Sequence, residues 1–145
     1  MAITSAICSS FKQELLQGKH SFESSGGHTF KIALFDSDAT LGASTTDYST
    51  SEEITNTSGT AYTSGGATLT SVTPVASSTT AVCDFADVSY TSASFTANGA
   101  LIYNSSATNA AVAAIAFGSD KTATNGTFTI QFPAADASNA IIRLA

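Results

Sequence analysis

The stretch that most restricts how this chain can fold is TFTIQF, residues 127–132. Phe128, Ile130 and Phe132 alternate strictly with Thr127, Thr129 and Gln131. A period of two puts all three apolar side chains on one face of a strand and cannot do so on a helix. Asn125-Gly126 just before it reads as a tight turn, because both residues tolerate positive φ. Pro133 ends the strand by removing an amide donor. Ala140–Ala145 then reads as a last short strand, with Ile142 and Leu144 on one face and Ile141 and Arg143 on the other. An apolar closing strand has to dock somewhere, so the end of the chain is expected within a sheet.

The same logic applied upstream predicts strands over Thr29–Phe35, Thr68–Val75, Thr80–Tyr90, Ser92–Tyr103 and Ala111–Phe117. Pro74 marks an edge position. The alternation slips near Phe85, which predicts a bulge there. Gly99–Tyr103 is continuously apolar and suits a strand buried on both faces. One segment has helical period: Ser5–Gln17, capped by Thr4 or Ser5 and stopped at Gly18. Ile7, Phe11 and Leu15 fall on one face of it, able either to cover this chain's own sheet or to dock on a partner. Asp36–Ala67 is long and polar, with Leu41, Tyr48, Ile54 and Tyr62 as its large apolar landmarks. A connection of that length is a functional loop or a run of short irregular strands. The expected fold is therefore all-β, a β-sandwich or jelly-roll-like domain with one N-terminal α-helix. At 145 residues it is one domain, divided into an N-terminal helix or arm over 1–22 and a sandwich over 23–145.

Composition narrows the function. Only 11% of residues are charged, against about 25% in an ordinary soluble domain. Ser and Thr fill the gap at roughly three residues in ten, and Thr suits a pleated surface. Five Lys and Arg with a net charge of −6 argue against nucleic acid, which needs clustered cations. No apolar run approaches the roughly 20 residues of a membrane span. The start of the chain lacks the basic and apolar regions of a signal peptide, so the three sequons at Asn56, Asn104 and Asn125 read as chance products of Ser/Thr richness. Cys8 and Cys83 match no metal or redox spacing and read as buried free thiols.

Catalytic groups are sparse. His20 and His28, eight apart without an acidic or Cys partner at ligand spacing, are a weak metal signal and read as solvated loop histidines. Asp36-Ser37-Asp38 begins like a calcium loop but lacks the later ligands and the glycine. Asp84 and Asp87 flank Phe85 without forming a marked acid/base pair. The expectation is no enzyme, no cofactor and no metal. Tyr48, Tyr62, Tyr90 and Tyr103 are candidates for stacking on sugars, or for packing at sheet edges.

Several stretches together carry a resemblance: SFKQELL, TFKIALF followed by ATLGAST, GGATLTSVTP, DFADVSYTSASFTANGALIYN, AFGSDKTATNGTFTIQFP and ADASNAIIRLA. They resemble small virion structural proteins of tailed bacteriophages, of the kind that decorate or cement the capsid, over nearly the whole chain. The resemblance implies a non-enzymatic protein made in the bacterial host cytoplasm and placed on the outer capsid surface. There it would be a homotrimer bridging major capsid proteins. The alternative is a phage tail or fibre component, or a carbohydrate-binding host-adhesion module. The interface residues expected are Ile7, Phe11 and Leu15 of the helix and Tyr48 and Tyr62 of the long segment.

Overall fold

The structure, a computed structural model, describes residues 2–55 and 62–145. It contains two antiparallel sheets and one short helix. In chain order the elements are β1 (Ala6–Ile7), α1 (Ser9–Leu16), β2 (Phe30–Phe35), β3 (Ala67–Thr68), β4 (Ser71–Ser77), β5 (Thr80–Phe85), β6 (Val88–Asn104), β7 (Ala110–Ile130) and β8 (Ile142–Leu144). The five-stranded sheet runs β1-β7-β6-β2-β3, and the three-stranded sheet runs β4-β5-β8. The all-β architecture with an N-terminal helix follows the sequence closely. The closing strand docks as expected, with Cys83 opposite Ile142. Pro74 lies in β4, at the edge of its sheet, where the register shifts between Val72 and Val75. An edge strand tolerates the missing donor.

The long hairpin of β6 and β7 is the spine. Its inner half, Gly99–Asn104, is wholly buried and paired on both sides, with β2 (Phe35 opposite Gly99) and with β7 (Gly99 opposite Ala116). That is the setting a continuous apolar run requires. Its outer half outruns β2 and alternates, with Tyr90, Ala93, Phe95 and Ala97 buried and the residues between them largely in solvent. Hydroxyls line the wet face in cross-strand pairs, Ser89 with Thr129 at 3.0 Å and Thr96 with Thr122 at 2.8 Å. The Ser/Thr-rich composition thus solvates a pleated surface.

Three expectations are corrected here. The first is the helix over Ser5–Gln17, which spans only Ser9–Leu16 after Cys8 because Ala6–Ile7 pairs with β7 as a strand. Ala111–Phe117 and Thr127–Phe132 are not separate strands joined by a turn; most of both lies in the single 21-residue β7. A two-residue hairpin at Asn125-Gly126 needs positive φ at both residues. Only Asn125 has it, at 46°, so the pair makes a bulge opposite Ala93–Phe95 instead. Gly118, at φ 80°, serves a second irregularity between Ala116 and Lys121. The third correction is Thr80–Tyr90, which is broken at Ala86-Asp87 between two sheets rather than being one bulged strand. The expected turn over residues 104–109 is present, with Thr108 and Asn109 in left-handed conformations.

One buried cluster runs from Cys8 to Ile142. Aromatic rings join its layers. Phe30 of β2 stacks on Phe22 at 4.3 Å and meets Phe85 of β5 at 5.8 Å, and Phe85 meets Phe132 at 5.6 Å. These contacts bind one sheet to the other. Full burial of each such side chain is worth about 1.5–3 kcal/mol.

Candidate functional site

Among the described residues is a buried and densely bonded side chain that the sequence does not mark. Glu53 is 7% exposed and lies beside Phe35 in an isolated bridge at the end of β2. Its Oε1 accepts from the Tyr62 hydroxyl at 2.6 Å and the Gly65 amide at 2.7 Å. Its Oε2 accepts from the Tyr48 hydroxyl at 2.7 Å and the Ser64 hydroxyl at 2.8 Å. An ionised carboxylate is an acceptor with about four lone-pair sites, and four donors meet it. The Tyr62 oxygen also accepts from the Leu34 amide of β2 at 2.9 Å. Gly66, at φ 76°, brings this turn so close to Ile32 and Ala33 that a Cβ would collide with the Ile32 carbonyl. The polar segment after β2 is therefore fastened to the sheet around one buried carboxylate.

The tyrosines belong to this fastening. Tyr62, Tyr90 and Tyr103 are 0%, 5% and 2% exposed. Tyr103 donates to the Gly65 carbonyl at 2.7 Å, and Tyr48 stacks flat on Tyr103 at 4.3 Å. Burial pushes the Tyr90 and Tyr103 phenols up to about 12. Burial, then the Glu53 hydrogen bond, raises Tyr48 and raises Tyr62 further. Sugar stacking needs exposed ring faces, and three of the four candidates have none.

The expected interface residues fare similarly. Phe11 is 1% exposed and packs on His20 and Phe22. Ile7 pairs with Ala113 in β1, and half-buried Ile7, Leu15 and Tyr48 all pack against the core. Phe11 and Tyr62 both lie in the buried core of the chain, and an amphipathic helix this short commonly buries its apolar face within its own domain. Within 1–22, then, the helix is part of the common core rather than a free arm. The large apolar side chains left exposed are Leu16 at 92%, Val75 at 56%, Leu144 at 55% and Val72 at 45%. An open groove of about 490 Å³ along β7 adds half-buried Ile115, Phe117, Phe128 and Ile130, with Lys121 as its one charge.

A second polar cluster corrects the reading of His20 as solvated, while His28 is half-exposed. The His20 ring is 0% exposed and its Nε2 lies 2.8 Å from Glu14 Oε2 of α1. Asn104, itself 0% exposed, points its Nδ2 at His20 Nδ1 and at His28 Nδ1, both at 2.9 Å. Its Oδ1 accepts the Ser106 amide at 3.0 Å. The sequon at Asn104 is therefore sealed in the core. Asn125 is exposed, and Asn56 lies outside the described residues.

Asp36, Asp38 and Glu52 bring oxygens within 4.8 Å of one another, so the acidic pair seen in the sequence gains a third member. Asp36 already accepts the Asp38 amide. Asp84 and Asp87 each accept a backbone amide, from Phe85 and Phe132 respectively. Burial pushes both thiols up to about 11, although Cys83 is only half-buried; a thiol raised this far is a poor nucleophile at neutral pH. Among the described residues no helix is long and apolar enough to cross a membrane. No protein-family model, curated protein or solved structure matches the chain.

Proposed function

We propose that the chain is a non-enzymatic structural protein of a tailed-phage virion that decorates the outer capsid surface and, as a homotrimer, bridges major capsid proteins. One observation carries this reading beyond the sequence resemblance. The carboxylate, phenol and imidazole groups best placed for chemistry are engaged in holding the fold, whereas apolar surface stays open in the β7 groove. A protein that adds many modest contacts over a lattice needs contact surface rather than a reactive cleft, because repetition supplies the affinity. A tail component that stacks sugars on tyrosines has less support, since Tyr62, Tyr90 and Tyr103 are inside.

Antibody labelling of intact virions tests the placement. Label over the whole head is expected, and label confined to the tail tip would overturn the capsid reading. Phe117→Asp, at the half-buried wall of the groove, is expected to abolish binding to capsids, with circular dichroism confirming that the variant, which also loses the Phe128 contact, is folded. Undiminished capsid binding by that variant would remove the groove from the account. Sedimentation of the free protein as a trimer is the expected companion result.

A further inference from the structure

We infer that Glu14, His20, Asn104 and His28 form an acid-sensitive latch that holds the N-terminal helix and the segment after it to the β6–β7 turn. The inference is independent of the virion reading and rests on how one amide is shared. Asn104 has two amide hydrogens and one oxygen. The oxygen accepts the Ser106 amide, which fixes which way the side chain faces. The NH2 group therefore points at both rings, one hydrogen to His20 Nδ1 and one to His28 Nδ1. Each ring must offer a lone pair at Nδ1 and carry its proton at Nε2. For His20 this agrees with its neighbour, because Nε2–H then donates to Glu14 Oε2.

The arrangement works only while both rings are neutral. A further proton on either ring has to enter at Nδ1, where it meets an N–H of Asn104 head on. Turning the amide over would offer its oxygen to the rings but point the NH2 group at the Ser106 N–H. Two charged rings would also stand no farther apart, Nδ1 to Nδ1, than twice 2.9 Å. Among the described residues, the one charged group bonded to either ring is Glu14, from α1, which favours a charged His20. From β2 the neighbour of His20 is Phe30, from α1 also Phe11, and from the β6–β7 turn it is Asn104. His28 has no carboxylate bonded to it among the described residues and is half-exposed. The latch thus adds stability at neutral pH that is lost as pH falls through the range where imidazoles charge, roughly pH 5–8. Its opening removes the side-chain ties of His20 and His28 to the turn, while Thr29 stays hydrogen-bonded to Ser105 and Ser106.

Amide hydrogen exchange on the full chain at about pH 7.5 and about pH 5.5, corrected for intrinsic rates, tests this. Protection of the Ser106 and His28 amides is expected to fall about tenfold or more at the lower pH, while that of Ile32 and Ile102 holds. His28→Gln keeps an acceptor for Asn104 but cannot titrate, so it should shrink the difference, leaving only the His20 contact acid-sensitive. Asn104→Asp, where it folds, should reverse it, because a carboxylate accepts from charged rings. Equal protection at the two pH values in the unmodified protein, or an unchanged pH effect in His28→Gln, would overturn the latch.

Discussion

Glu53→Ala is expected to cost the protein about 3–5 kcal/mol of stability, a large part of the 5–15 kcal/mol typical of a whole domain. The substitution removes one acceptor group and orphans four donors at once, from Tyr48, Tyr62, Ser64 and Gly65. The Tyr62 hydroxyl and the Gly65 amide are buried and have little access to water in exchange, and an unmet buried donor costs about 1–3 kcal/mol. Glu53→Gln keeps the shape but turns an NH2 group toward two of the donors, so it should lose less than alanine and still lose heavily. Urea unfolding measures the cost. Near-ultraviolet circular dichroism reads the fate of the Tyr48–Tyr103 stack, which should weaken in both variants before global unfolding. A loss below about 1 kcal/mol for alanine, the size of one ordinary hydrogen bond, would mean the carboxylate is not the fastener.

Phe11→Asp should be equally severe. The ring is 1% exposed against His20 and Phe22. Its loss alone should cost about 3–5 kcal/mol as a cavity, and the introduced carboxylate would be buried at a further cost. The expected result is a protein that unfolds at much lower urea concentration or does not fold. A variant that folds with normal stability but fails to assemble would place this ring at a contact between molecules, contrary to its position in the core.

How much of this was readable in advance depends on the range of the interaction. Phe30–Phe35 and Ile142–Leu144 were legible because period-two alternation is local, and the wholly buried inner half of β6 was legible as an unbroken apolar run. Asn125-Gly126 misled because a hairpin turn and a bulge use the same residues; what separates them is the pairing partner, here Ala93 and Phe95 some 30 residues away. Glu53 was invisible for a similar reason. In Ser51-Glu52-Glu53-Ile54 nothing distinguishes it from Glu52, which is exposed; only the folded positions of Tyr48, Tyr62 and Gly65 do. The signal available was weaker: two tyrosines, Tyr48 and Tyr62, in a largely polar stretch, whose hydroxyls both donate to Glu53. His20 and Asn104 meet across 84 positions, beyond any motif spacing.

Among the described residues, the four tyrosines and the Glu53 carboxylate are held in the contacts that fasten the fold. Spectrophotometric titration of the tyrosines tests it most directly. All four phenols are raised by burial or by the Glu53 bond, Tyr90 and Tyr103 to about 12. A raised phenol adds stability that is present below the unfolded value of about 10 and is lost as pH rises through the folded value. The folded protein should therefore show little phenolate at about pH 10.5, with ionisation and unfolding arriving together nearer pH 12, while urea-unfolded chain titrates all four near 10. Two or more tyrosines ionising near pH 10 in protein that remains folded would contradict the claim.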